Sequence, residues 1–254
     1  MRPPKTTATL TAAVAMIALW GANPLGGQEG GIYRAVTVQA APGKLLEMIE
    51  LFQEEQAFAR SMGEAPAMMF RHSQGDFWDI FLLYPIPDLP EYFEAETRAR
   101  RSRARAPSGM TGEVLNAAID AVSAWREEVF VHGPPHDEVA DLWQNSGFFH
   151  LETFQGLAGR RAELLHQRRI ENDYLERIGK APNAIFTRIA GASTDAFTIG
   201  FYRDLAHYAE PNAVSDEEAN QAAIDAGFEG RDYIGSYLRS LILRHQDTLG
   251  VAIP

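Results

Sequence analysis

The chain has 254 residues, 46% hydrophobic and 22% charged, which is a globular composition with room for one broad core or two ordinary domains. Its formal net charge is −11, so it repels phosphate backbones, which argues against general nucleic-acid binding. It has no cysteine, which excludes disulfides, a disulfide-linked partner, thiol catalysis and thiolate metal sites.

The N-terminus reads separately from the rest. Arg2 and Lys5 precede an uncharged stretch from Thr6 to Gly27, whose Ala8–Ala22 run is apolar and is followed by Asn23, Pro24 and glycines. This is the order of an export signal over residues 1–27, cut between Ala22 and Gln28, and it predicts a periplasmic or secreted protein. The apolar run is shorter than the ~20 residues that span a bilayer comfortably. An uncleaved N-terminal anchor is the alternative. Loss of Arg2 and Lys5 takes the mature net charge to −13.

Ile32–Gln39 is β-branched and aromatic and reads as a strand. Ala41-Pro42-Gly43 breaks it, and Lys44–Met62 carries Leu45, Met48, Ile49, Phe52 and Phe58 near the helical period. Gly63 and Pro66 end that helix. Ala67–His72 reads as a second strand, Ser73–Asp76 as a hairpin turn, and Phe77–Tyr84 as a third strand apolar enough to be buried on both faces. Asp88 is placed to cap the next helix.

The same series then recurs. Residues 31–92 slide without a gap onto 147–208, a shift of 116, and sixteen positions are identical, among them Thr37/Thr153, Gly63/Gly179, Phe70/Phe186, Asp79/Asp195 and Tyr92/Tyr208. Chance would give about 4. Both following stretches are helical and contain AAIDA, at 117–121 and 222–226, and both end in a short apolar run, Val129–Pro134 and Val251–Pro254. Two repeats are therefore expected, 31–135 and 147–254, each βαββαβ in the ferredoxin-like order. Helices would cover one face of each sheet. The other faces are too apolar for water and would pack on each other.

In strand order, in the strand-then-Pro-Gly-Lys start (VTVQAAPGKLLEMI) and in the aromatic strand after a Gly-Asp turn (GDFWDIFLLY), the sequence resembles the dimeric α+β barrel superfamily. It is similar to the tandem, NIPSNAP-like members, in which one chain supplies both halves. The resemblance implies an α+β fold of two ferredoxin-like repeats packed sheet to sheet within one chain. It also implies a superfamily of cofactor-free monooxygenases, haem-binding and haem-degrading enzymes and isomerases, so the fold does not name the activity.

Strand alternation puts Arg34 and Val36 on one face, with their counterparts His150 and Glu152, and leaves Tyr33, Ala35, Phe149 and Leu151 for the side facing the helices. His150 and Glu152 are within reach of each other as a His–carboxylate pair, or satisfy each other structurally. In a duplicated chain a site is free to survive in one half, so unmatched polar residues are favoured: His72, Arg34, Trp78, His150 and Glu152. Matched Asp79 and Asp195 read as structural. The helix segment QRRIENDY brings Arg168, Glu171 and Asn172 together as a hold for a ligand carboxylate or carbonyl, or as a solvated ion pair. His150, Glu152 and His72 are the candidate catalytic residues. Arg34, Trp78, Arg168, Glu171 and Asn172 are the candidate ligand-binding residues.

No metal site is expected, because Gly-Pro-Pro between His132 and His136 forbids the helix that would align them. His245-Gln246-Asp247 could couple a histidine to a carboxylate, and the simpler reading is His245 as a helix C-cap. No cofactor is expected; haem would need one of seven histidines and no haem motif points to one. Arg98, Arg100, Arg101, Arg103 and Arg105 form a basic stretch that either meets an anionic surface or is a solvated helix face. Two functions follow. One is a cavity that binds a small, partly apolar molecule, with cofactor-free oxidation or isomerisation as its chemistry. The other is a structural or interaction module whose barrel is filled by its own side chains.

Overall fold

The computed structural model describes residues 30–253. The expected signal segment lies outside the described residues. The first half runs β1 (Gly31–Ala40), α1 (Leu45–Ser61), β2 (Met68–Gln74), β3 (Ile80–Ile86), α2 (Leu89–Phe93), α3 (Ala95–Arg103), α4 (Gly112–Ala121) and β4 (Ser123–Gly133). Helix α5 (His136–Gln144) leads to the second half: β5 (Phe148–Gly156), α6 (Arg161–Arg177), β6 (Ala184–Gly191), β7 (Ala196–Tyr202), α7 (Leu205–Tyr208), α8 (Asp216–Ala226), a 3₁₀ turn (Arg231–Tyr233), α9 (Ile234–Leu241) and β8 (Ile242–Ala252).

The strands form one closed antiparallel barrel in the order β1-β3-β2-β8-β5-β7-β6-β4. Each half contributes the ferredoxin-like sheet 4-1-3-2. The halves join edge to edge at β2–β8 and β4–β6. Closure removes all four sheet edges that two separate repeats would expose. Helices α1 and α6, each of 17 residues, pack outside, and both end at a glycine with positive φ, Gly63 and Gly179. Among the described residues no helix is long and apolar enough to cross a membrane.

The barrel interior is aromatic. Phe70 stacks on Phe81 (ring centroids 4.9 Å) and on Phe149 (5.0 Å), and Phe186 stacks on Phe197 (4.6 Å). Helix α5 plugs the end of the barrel where β1 starts. Val139 is fully buried there, and Trp143 stacks on Phe149 at 4.2 Å. At both seams a glycine of the last strand lies under a phenylalanine of the other half: Gly250 under Phe70, and Gly133 under Phe186.

Three expectations need correction. The final strands are longer than the apolar runs suggested. β4 starts at Ser123 and β8 at Ile242, because their first turns of chain carry charged residues (Arg126, Glu127, Glu128; Arg244, Asp247) that mask the apolar pattern. His245 is therefore a strand residue rather than a helix cap. Phe77, Trp78 and Asp79 belong to the β2–β3 turn, since β3 starts at Ile80. Finally, the faces of the first strands are inverted. Tyr33, Ala35, Phe149 and Leu151 point into the barrel core, while Val36 packs in the layer under α1 with Met48 and Phe52. Alternation tells which residues share a face. It does not tell which face meets helices when both faces are buried.

Candidate functional site

The end of the barrel opposite α5 is open and holds a cavity of about 280 Å³. Its floor is symmetric: Phe81 and Phe197 touch edge to face at 5.7 Å, beneath Thr37 and Thr153. Its walls are not. Wherever the first half offers Phe77, Trp78 and Trp125, the second offers Ser193, Thr194 and Arg244 at the equivalent positions. Trp78 donates its Nε1–H to Asp76 Oδ2 (3.0 Å), and Trp125 meets Phe77 edge on at 4.8 Å. Glu127, paired with Thr37 on β4, and Gln246, paired with Thr153 on β8, stand on opposite walls. Neither Glu127 nor Arg244 forms an ion pair among the described residues. The cavity thus has an aromatic wall, a polar wall, one guanidinium and three carboxylates, of which Asp76 accepts from Trp78 and Glu128 pairs with Arg126, while Glu127 has no ion pair among the described residues.

Of the residues picked from sequence, Trp78 lines this cavity. His72 also faces the interior, 5.8 Å from the Trp78 ring, with its buried Nε2 unpartnered. Trp125, Glu127, Arg244 and Gln246 were missed. Their signal was the two-residue alternation in SAWREEVFVHG and ILRHQDTLGVA, once these are recognised as strands.

The remaining candidates lie on the outer side of the sheet, under α1 and α6, in two related networks. In the second half, His150 Nε2 bonds Asp247 Oδ1, and His245 Nε2 lies 3.2 Å from Glu152 Oε1. Arg168, 2% exposed, reaches Glu152 Oε2 (3.5 Å) and Glu171, and its Nε donates to Gln167. Burial pulls His150 toward neutrality, but the Asp247 hydrogen bond and the Glu152 charge outweigh it and raise its pKa. Burial likewise opposes ionisation of Glu152, and His245 and Arg168 overcome it, so Glu152 is lowered. At Glu171 burial wins over Arg168 and the pKa is raised.

In the first half, Arg34 donates to Tyr92 Oη (2.9 Å), lies over the Tyr84 ring at 4.2 Å and faces Glu128 at 3.8 Å. Tyr84 donates to Glu55 Oε2 (2.7 Å). Arg34 is thus a cross-link between strand and helices; it does not line the mouth cavity itself, but its partner Glu128 does. Asn172 is spent on the backbone of Asn183, donating to its carbonyl (2.8 Å) and accepting from its N–H (3.0 Å). Asp79 and Asp195 do the same work in each half, accepting from Ala40 N–H (2.8 Å) and Gly156 N–H (2.9 Å). His136 starts α5 and its Nε2 lies 3.0 Å from the Ile32 carbonyl, while His132 stays in β4. In the basic stretch, Arg101 pairs with Glu64 (2.9 Å) and Arg105 donates to the Gly109 carbonyl (2.8 Å), whereas Arg98, Arg100 and Arg103 face solvent.

A haem does not fit these residues. No histidine lines the mouth cavity, His72 lies against the Trp78 ring, and His150 and His245 stand on the outer face of the sheet, where α6 leaves no cavity for a macrocycle among the described residues.

No protein-family model and no curated protein matches the chain. Solved structures do match by fold. An anthrone oxidase-like protein superposes with a TM-score of 0.54 at 9% identity, covering 90% of this chain and 93% of its own. A candidate monooxygenase from Fusobacterium nucleatum gives 0.51 at 11% identity, covering 89% and 94%. A mutant chlorite dismutase from Candidatus Nitrospira defluvii gives 0.47 at 10%, covering 89% and 93%. The chain has the fold of the dimeric α+β barrels, with both halves drawn from one polypeptide.

Proposed function

We propose that the open end of the barrel binds a small, flat, partly apolar molecule carrying a carbonyl or anionic group. The observation that carries this reading is the divergence of the two walls above a floor that both halves share. Duplicated positions kept for packing stay alike, as Phe81 and Phe197 do. Here Trp125 faces Arg244 and Trp78 faces Thr194, giving a slot with one stacking side and one hydrogen-bonding side. Arg244 would hold the polar end of the ligand. Glu127 would take a proton from a carbon next to a carbonyl, and return of that proton to another carbon is an isomerisation that needs no cofactor. The names of two fold neighbours, an oxidase-like protein and a candidate monooxygenase, favour an oxidative alternative, in which molecular oxygen is the oxidant that takes the electrons of the carbanion left by that proton transfer. The tandem, NIPSNAP-like relationship is part of this proposal and rests on the internal duplication. Export is part of it too, and rests on the basic, apolar and small-residue order of residues 1–27.

The packed aromatic centre supports the second reading, a structural module with a filled barrel. Titration with anilinonaphthalene sulfonate, an aromatic anion, separates the two. Saturable fluorescence enhancement that is lost in Trp125→Ala and in Arg244→Ala supports a site at the mouth. Absence of saturation, or binding indifferent to both substitutions, sinks it and leaves the structural module.

A further inference from the structure

The outer face of the β5–β8 pair carries two short motifs, His150-Leu151-Glu152 and His245-Gln246-Asp247. Strand pairing sets Glu152 directly opposite Asp247, and each histidine reaches diagonally to the carboxylate of the other strand. Two carboxylates directly opposite on one face repel each other. With Glu171 beside them, the cluster holds three carboxylates and one guanidinium, that of Arg168, which pairs with Glu152 and Glu171.

The first half is an internal control. Its equivalent positions hold Arg34, Val36, Arg126 and Glu128, and they form an ordinary ion-pair group, with Arg126 2.7 Å and Arg34 3.8 Å from Glu128. Neither arginine can ligate a metal. In the second half both arginines are histidines and the valine is a glutamate. All three changes are toward metal-binding side chains on an otherwise shared scaffold.

The geometry points to a divalent transition-metal site on this face, with His150, Glu152 and Asp247 as ligands and His245 as the positioning residue for Glu152. One ligand atom from each of the three already lies within 4.8 Å of the others. Bonds of about 2.0–2.2 Å to a common ion need only small side-chain rotations from there. Stacking on Phe154, at 5.0 Å and 8° between ring planes, fixes the His245 ring so that Nε2 steadies Glu152 Oε1. Solvent reaches the site through Asp247, whose side chain is 57% exposed, while His150 is 15% exposed. One imidazole and two carboxylates suit Zn²⁺, Ni²⁺ or Cu²⁺ better than Mg²⁺. The site stands behind the cavity wall and does not depend on the cavity reading.

Isothermal titration calorimetry of the metal-stripped full chain with zinc chloride tests this, with magnesium chloride as comparator. The expected result is one zinc per chain and no magnesium binding. His150→Ala and Asp247→Asn should each weaken zinc by at least about tenfold, whereas Glu128→Gln, at the equivalent place in the first half, should leave it unchanged. Asp247→Asn changes a largely exposed group, so it keeps the test decisive if the His150 variant fails to fold. Cobalt(II) gives a second readout: its visible spectrum should shift in His245→Gln and vanish in Asp247→Asn. No saturable zinc binding, or zinc that stays bound in both ligand variants as it would on exposed histidines elsewhere, overturns the site.

Discussion

Arg168 on α6 directs its guanidinium at Glu152 on β5, 3.5 Å away, from the position that Phe52 occupies over Val36 in the first half. One scaffold solves the same packing problem twice, once with a buried ion pair and once with a buried apolar contact. Phe52 and Val36 are each 1% exposed, so the space is enclosed in both halves. Breaking a buried ion pair from one side is costly, whereas replacing both partners by apolar groups is often neutral. In metal-free protein, Arg168→Met should therefore lower unfolding stability by about 3–5 kcal/mol. Arg168→Phe combined with Glu152→Val should recover most of that loss. Urea denaturation reads both. A double variant as damaged as the single one would show that the two halves do not share a packing solution.

Gly250 and Phe70 set the closure of the barrel at the β2–β8 seam, and Gly133 and Phe186 repeat this at β4–β6. A Cβ on either glycine would run into the ring above it. Gly250→Ala and Gly133→Ala should each cost about 1–3 kcal/mol, as overpacking does, despite alanine being the better strand residue. Gly43→Ala, where a Cβ would meet nothing but φ is +76°, separates backbone strain from ring contact. If the seam variants are no worse than wild type in thermal unfolding, the rings move aside and the seams are loosely packed.

The duplication made the fold legible. An ungapped match of whole βαββ units gives strand order, and apolar third strands imply a partner for the sheet face. Which face meets the helices was not legible, since Tyr33 and Val36, on opposite faces, are both enclosed. The site was half legible. Trp78 was found because its counterpart is Thr194. Glu127 and Arg244 were hidden because β4 and β8 begin in charged chain, and because the extra α9 segment shifts their alignment away from AAIDA. His150, Glu152 and Arg168 were found for the same reason as Trp78, but they mark a network behind the wall rather than the cavity itself. Pairing across β5 and β8, which joins Asp247 to His150 and His245 to Glu152, is a long-range relation that no local pattern carries.

Glu55 gives the fold a measurable pH dependence. Burial between α1, which carries it, and the sheet beneath pushes its carboxyl above the ordinary value of about 4.5, and the Tyr84 hydrogen bond and Arg34 only partly offset this. A carboxyl with a raised folded pKa binds more protons folded than unfolded, so its contribution to stability is present below the ordinary value and is lost as pH rises through the folded one. Glu55→Gln keeps the acceptor for Tyr84 and removes the titration. Relative to wild type, the variant should gain stability as pH rises from the ordinary glutamate value toward neutrality. Chemical denaturation across that range checks the slope, and a relative loss with rising pH would mean that Arg34 dominates Glu55.

The asymmetry of the mouth can be reduced by one substitution. Thr194 is the counterpart of Trp78, and its side chain is only partly buried at the cavity wall. Thr194→Trp would give the second half the indole that the first half already has, converting a slot with one stacking side into a mouth stoppered from both sides. Nothing in the shared floor changes, because Phe81 and Phe197 keep their 5.7 Å contact beneath it. Stability should stay within about 0.5 kcal/mol of wild type, as for substitutions outside a packed core. Binding of anilinonaphthalene sulfonate should fall at least about tenfold, equivalent to a loss of 1.4 kcal/mol. Asp141→Asn on the exposed side of α5, at the plugged end, should change neither quantity. Retained affinity in Thr194→Trp would place the probe somewhere other than between these two walls, and the divergence of the halves at the mouth would then need a reason other than a ligand.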